Sequence, residues 1–312
     1  MTNFALVFPG QGSQSVGMLD AWGDHPAVRE TLAEASDALG EDVGRLIREG
    51  PKEQLDLTTN TQPVMLTAGI ACYRAWLADT QRVPAVVAGH SLGEYTALVA
   101  AGSLRLADAL PLVRFRAQAM QDAVPVGVGA MAAILGLDSA AVAAVCAEVA
   151  ATVGEVVEAV NFNDPKQTVI AGTKAAVAKA CEALKAAGAK RTLSLPVSAP
   201  FHSSLMKPAA ERLLGRLATT TFAAPLITVI NNVDVAVQTD PVAIRDALFR
   251  QAFGPVRWVE TVQAIRARGI THIFECGPGK ALAGMVRRID ADAVCATVLD
   301  PESLLEVKGL LP

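Results

Sequence analysis

The sequence predicts an α/β protein with a mainly parallel sheet, into which a small β-α-β-β-α-β unit is inserted. Two observations lead there. Short apolar runs at 4–8, 83–88, 226–230, 272–274 and 294–298 are separated by longer helix-like segments, the rhythm of parallel strands joined by helices. From 130 to 195 that rhythm breaks into strand 130–137, helix 139–151, strand 156–161, strand 167–171, helix 174–187 and strand 191–195, the order of a split βαβ unit. Pro125 and Gly127 to Gly129 punctuate its start, and Pro196 and Pro200 its end. The expected organisation is one discontinuous domain, 1–127 with 197–312, interrupted by a small one at 128–196.

Composition narrows the class. Of 312 residues, 52% are hydrophobic and 19% charged, which excludes disorder as a description of the whole. Aromatics are only 4%, so Ala, Val and Leu must fill the core. A net charge of −4 argues against nucleic acid as the main partner. The five cysteines are scattered and never in C-x-x-C spacing, so neither a disulfide framework nor a metal site is expected. Met1-Thr2-Asn3 leads into 4–8 without a basic segment, and no apolar run approaches the roughly 20 residues of a membrane span. A soluble, cytoplasmic protein without membrane attachment is the expectation.

The strongest local signal is Gly89-His90-Ser91-Leu92-Gly93, placed after an apolar run and before a helix-compatible stretch. This is G-x-S-x-G in its required setting of strand, sharp turn and helix. Such a turn lifts a serine hydroxyl out of the sheet, and the following helix aims its free N–H groups at the same spot. Serine needs a base, and there are four histidines. His25 reads as a solvated surface residue before Pro26. His90 adjoins the nucleophile on too tight a turn to serve it, and His272 reads as a strand histidine with a satisfied hydrogen bond. His202, in Pro200-Phe201-His202-Ser203, falls where the inserted unit rejoins the main domain, and clefts between domains are where sites form. His202 is therefore the candidate base. Asp164, Asp240 and Glu275 are all possible third members by chain order, none is marked by spacing, and a backbone carbonyl could hold the imidazole equally well. Finally, 104–122 reads as a largely apolar helix, with Pro111 expected in its first turn and Arg114 and Arg116 on different faces. An arginine among apolar positions is explained by a buried anion.

These residues resemble the malonyl-CoA:acyl carrier protein transacylases of bacterial fatty acid synthesis, relatives of the acyltransferase domains of polyketide synthases. The likeness runs through Phe8-Pro9-Gly10-Gln11-Gly12-Ser13-Gln14, Gly89-His90-Ser91-Leu92-Gly93-Glu94-Tyr95, Arg116 with Met120-Gln121, and Asn161-Phe162-Asn163. It continues through Pro200-Phe201-His202-Ser203, Gln251 before Pro255-Val256-Arg257-Trp258, and Glu275-Cys276-Gly277-Pro278-Gly279. The resemblance implies an α/β-hydrolase-like large subdomain with a mainly parallel sheet and an inserted ferredoxin-like small subdomain. It implies Ser91 as acylated nucleophile, His202 as base oriented by the Gln251 carbonyl, and the N–H groups of Gln11 and Leu92 as oxyanion hole. It assigns the substrate carboxylate to Arg116 and the acyl pocket to Phe201 and Met120, with the bulk of Phe201 fitting malonyl rather than methylmalonyl.

The implied partners are malonyl-CoA and holo-acyl carrier protein, with no cofactor and no metal, in a chain expected to be a monomer. Carrier proteins are acidic, so Lys190-Arg191 and Arg287-Arg288 are candidate docking pairs. Two other readings stay open: a serine thioesterase or esterase using the same elbow, and a non-catalytic carrier-binding scaffold. The pathway, fatty acid or polyketide, is left open as well.

Overall fold

The computed structural model describes residues 3–311 apart from Val126 and Ser198. Met1 and Thr2, on which the expectation of no leader partly rests, lie outside the described residues. Nine strands are found among them: β1 (Phe4–Phe8), β2 (Val86–Gly89), β3 (Gly129–Leu135), β4 (Val157–Asp164), β5 (Gln167–Thr173), β6 (Arg191–Ser194), β7 (Thr228–Ile230), β8 (His272–Cys276) and β9 (Val294–Val298).

Five of them form a parallel sheet in the order β7-β2-β1-β8-β9. All five residues of β1 are buried, the mark of a strand covered on both faces by helices. Successive side chains point to opposite faces, and the two cores follow that alternation. Phe4, Leu6 and Phe8 enter one cluster with the long helix Thr58–Thr80, where Phe4 meets Trp76 edge-on at 5.7 Å. Ala5 and Val7 enter another with Trp258, Val262, Leu282 and Val286.

The inserted unit is a four-stranded antiparallel sheet in the order β4-β5-β3-β6, the ferredoxin-like arrangement. One face is covered by the helices Ser139–Val153 and Lys174–Ala186, with Ala132, Ile134 and Ile170 packed on Val142, Cys146 and Val177. From the other face, Met131, Ala133, Val169 and Ala171 join the core of the large subdomain. The two subdomains are also tied by backbone. Phe162 N–H donates to the Val256 carbonyl at 2.9 Å, and Val256 N–H to the Val160 carbonyl at 2.8 Å.

Two expectations need correction. The run 226–230 yields only the three-residue strand β7. Pro111 lies in the interior of the helix Leu106–Asp122, beyond its first turn. Proline there forfeits one helical hydrogen bond, and burial of Leu110, Leu112 and Val113 around it outweighs that loss. Among the described residues no helix is long and apolar enough to cross a membrane, and no cluster of His, Cys, Asp or Glu could hold a metal ion. The five cysteines are free.

Candidate active site

The nucleophile turn is built on the absence of side chains. β2 ends at Gly89, and the helix Gly93–Ala100 starts four residues later. A Cβ on Gly89 would sit 1.9 Å from the Gly93 backbone, and one on Gly93 would sit 2.1 Å from the Phe8 carbonyl oxygen. Only glycine permits that approach, which puts the turn between them at the top of the sheet. Ser91 at its apex has φ +54, the strained left-handed setting of a nucleophile elbow. The loop after β1 presses on the same turn, since a Cβ on Gly10 would lie 2.6 Å from the His90 carbonyl oxygen.

His202 reaches this serine from the segment that follows the inserted unit. Its Nε2 lies 2.7 Å from Ser91 Oγ, and its Nδ1 lies 3.0 Å from the carbonyl oxygen of Gln251 and 3.2 Å from that of Gly254. Carbonyls only accept, so the ring proton sits on Nδ1 and Nε2 is free to accept from the serine hydroxyl. Burial, and then the charge of Arg116, pull the His202 pKa down to about 3. The imidazole is therefore neutral at any ordinary pH, with its Nε2 lone pair directed at the serine hydroxyl.

None of the three acids stands beside it. Asp164 pairs with Arg288 at 2.6 Å, Asp240 caps the helix Pro241–Gln251, and Glu275 accepts the Ala283 N–H at 2.8 Å. The other histidines are also accounted for. His90 Nε2 is 2.8 Å from Asn163 Oδ1 with its ring 5.6 Å from Trp258, and His272 Nδ1 is 2.9 Å from Thr271 Oγ1. His25 departs from expectation: it is half-buried rather than solvated, its ring edge-on to Trp22 at 5.7 Å and its Nε2 3.3 Å from Asp79.

Arg116 is buried, only 2% exposed. Its guanidinium donates to Gln62 Oε1 at 2.7 Å, Gln251 Oε1 at 3.0 Å and Ser91 Oγ at 3.3 Å, and its Cζ lies 5.4 Å from the Tyr95 ring centre. These partners are neutral, so a buried cation is held beside the nucleophile hydroxyl with amides for company. Arg114, two residues earlier, turns outward to pair with Glu41.

A cleft of about 120 Å³ opens over this group. Gln11 and Leu92 line it next to Ser91, Met120 and Phe201 form apolar wall, and Met131 and Leu195 close it from the side of the inserted unit, with Val197 at the junction. The Gln11 side chain is tied down, its Nε2 donating to Thr58 Oγ1 at 3.2 Å. The four docking candidates stand apart from the cleft lining. Lys190 and Arg191 are exposed, while Arg288 is engaged by Asp164 and Arg287 donates to the Cys295 carbonyl at 2.7 Å.

Sequence reasoning missed a layer of polar residues beneath the pair, and of Gln251 it named the backbone carbonyl but not the side chain. Asn232 accepts the Ser91 N–H at 2.7 Å on Oδ1 and donates to the Gly89 carbonyl at 2.7 Å from Nδ2, clamping the turn. The Glu94 carboxylate accepts from Asn232 N–H at 2.8 Å and from Gln251 Nε2 at 3.0 Å. Gln251 Nε2 also reaches the Ser91 carbonyl at 3.0 Å. Gln62 and Gly254 complete the layer. For Asn232 a signal exists: Asn231-Asn232 directly follows an apolar run, at the carboxyl end of a parallel strand where sites collect.

Residues 5–289 match the acyl transferase domain family. The malonyl CoA-acyl carrier protein transacylase of Salmonella typhimurium is 54% identical over 306 residues, 98% of either chain. Its Bacillus subtilis counterpart is 43% identical, over 97% of this chain and 96% of the relative. Among solved structures, an acyl-carrier-protein S-malonyltransferase from Burkholderia pseudomallei superposes with TM-score 0.96 at 67% identity, covering 98% of this chain and 100% of that one. A type II PKS acyl-carrier protein in complex with its malonyl-transacylase gives 0.96 at 48% identity, covering 98% and 99%.

Proposed function

This chain belongs to the acyl transferase family, and from that membership we propose that it moves a malonyl group from malonyl-CoA to the phosphopantetheine thiol of acyl carrier protein. The single observation that carries the choice of acyl group is Arg116, a buried guanidinium 3.3 Å from the Ser91 hydroxyl. A malonyl thioester differs from an acetyl one by a free carboxylate, and a guanidinium takes a carboxylate with two parallel hydrogen bonds.

The reaction runs in two halves. His202 Nε2 takes the Ser91 proton as Oγ bonds to the thioester carbon, and the carbonyl oxygen becomes an oxyanion held by the N–H groups of Gln11 and Leu92. The C–S bond then breaks, the CoA thiolate takes the proton from His202, and malonyl-Ser91 remains. The carrier's thiol enters the same cleft, gives its proton to His202 and bonds to the malonyl carbonyl carbon. Collapse returns the proton to Ser91 Oγ. The Gln251 and Gly254 carbonyls stabilise the imidazolium of each half. Phe201 and Met120 line the acyl pocket, and the bulk of Phe201 disfavours an α-methyl group. The scheme needs no cofactor, malonyl-CoA being a substrate, and we read the protein as a cytoplasmic monomer.

Intact mass after mixing with malonyl-CoA, methylmalonyl-CoA and acetyl-CoA in turn tests this. Wild type should gain one malonyl mass that persists until a thiol acceptor is added, and Ser91→Ala should gain none. Rapid loss of the adduct to water would favour a serine hydrolase. No adduct and no burst of CoA would favour a carrier-binding scaffold.

A further inference from the structure

Arg116 meets no carboxylate at ion-pair distance among the described residues, yet Glu94, itself 2% exposed, stands one amide away. Gln251 joins them, its Oε1 accepting from Arg116 at 3.0 Å and its Nε2 donating to Glu94 at 3.0 Å. Behind Glu94 lies a separate small cavity of about 10 Å³, where Glu94, Asn231 and Gln238 meet the apolar side chains of Leu98, Val229, Ile244 and Ala247. That is room for one water, and the Asn231 Nδ2 is buried there without a hydrogen-bond partner. The carboxylate thus faces the catalytic layer on one side and, on the other, a one-water cavity that also holds the unpartnered Asn231 amide.

Resting on the malonyl-transfer reading, we propose that Glu94 is the proton-coupled counter-charge of Arg116. Glu94, accepting two N–H donors, can carry its charge while the guanidinium has only amides and a hydroxyl for partners. When the malonyl carboxylate takes Arg116, two anions compete for one buried cation. Glu94 then takes up a proton from solvent, and the buried charge stays balanced.

Burial holds Glu94 at about 7, so it can titrate near neutrality. The other charged and titratable groups that face it are Arg116, Tyr95, His202, His90 and Asp234. Arg116 on its helix keeps its proton, and Tyr95, the next residue along, is pushed up to about 12. His202 stands near 3, His90 is lowered by burial, and Asp234 is lowered by Arg250.

Binding to the Ser91→Ala protein, measured by calorimetry at pH 7 in two buffers of different ionisation heat, reads the proton directly. Malonyl-CoA should bind with uptake of about half a proton beyond that of acetyl-CoA, which cancels any contribution from the CoA phosphates. Glu94→Gln in the same background keeps an acceptor oxygen, and should abolish the difference and tighten malonyl-CoA roughly tenfold at pH 8, with little change at pH 6. A merely structural role predicts the opposite sign, weaker binding of both thioesters. Equal uptake with both ligands, or uptake that survives Glu94→Gln, overturns the proposal. Should that variant fail to fold, the comparison of the two ligands on the parent protein still decides. Failure of wild type to form malonyl-Ser91 would sink the functional reading instead, and is read separately by intact mass.

Discussion

Ser91 Oγ and His202 Nε2 lie 2.7 Å apart, and both residues sit at positive φ, +54 and +64. Neither is glycine, so each holds a backbone conformation that its Cβ disfavours. The glycine approach at 89 and 93 enforces the first, and the paired carbonyls of Gln251 and Gly254 hold the second ring in place.

The depressed His202 pKa sets the pH profile. A base whose pKa is near 3 is already unprotonated at pH 5, so its active form does not grow as pH rises through 6.5. The single-turnover rate of Ser91 malonylation at saturating malonyl-CoA should be flat from pH 5 to 8. An inflection near 6.5 would contradict it. His202→Ala should slow the same step by roughly 10²- to 10⁴-fold.

Arg116→Ala should lower the malonylation rate by roughly 10- to 100-fold while leaving acetyl transfer nearly unchanged. Arg116→Lys should recover little, because a point charge lacks the planar fork that meets Gln62 and Gln251 together. Competition between malonyl-CoA and acetyl-CoA, followed by mass, measures both.

Glycine positions divide by their surroundings. Gly93→Ala forces a Cβ to 2.1 Å from the Phe8 carbonyl oxygen and should cost about 3 kcal/mol or more. Gly215→Ala, in the helix Lys207–Thr219 with open space around it, should stabilise by roughly 0.5–1 kcal/mol. Denaturant midpoints of the two variants should move in opposite directions.

Glu275 should make stability fall with rising pH. It is fully buried, its Oε1 has no hydrogen-bond partner, and burial raises its pKa from 4.5 to about 7. The folded state therefore binds the proton more tightly than the unfolded chain. The resulting stability is complete below pH 4.5 and lost as pH climbs through 7. Glu275→Gln should remove up to about 3 kcal/mol of that pH dependence. Thermal melts from pH 5 to 8 would reveal it as a shallower slope of Tm against pH.

For the carrier, Lys190→Glu with Arg191→Glu should raise the KM for carrier protein and leave malonylation by malonyl-CoA intact. Equal loss of both half-reactions would count against docking there. The Arg287 and Arg288 pair should respond less, since Asp164 already holds one guanidinium at 2.6 Å.

How much could be read from the chain depends on whether the signal is local. The parallel strands were legible because a strand buried on both faces is a continuous apolar run, as in β1. The elbow was legible because its geometry demands glycine at two fixed positions around the serine. His202 could be ranked first only by where it falls between subdomains. Asn232, Glu94, Gln62 and Gln251 meet from four separate elements, and their amides and carboxylate carry no spacing that marks them. Glu94 in particular looks like an ordinary acid in the first turn of a helix. Pro111 went the other way, a strong local signal overruled by burial that appears only once the helix is packed.

The backbone tie at Val256 bears on how such enzymes can be recombined. The inserted unit is joined to the large subdomain by two chain crossings and by hydrogen bonds from β4 to Val256. Val256 follows Gly254, whose carbonyl faces His202, by two residues. Grafting 128–196 from a relative with a different acyl preference would therefore bring a foreign β4 against the strip of chain that aligns the base. A donor unit that carries its own 251–258 segment transplants the seam intact, while Arg116, Met120 and Phe201 stay with the host.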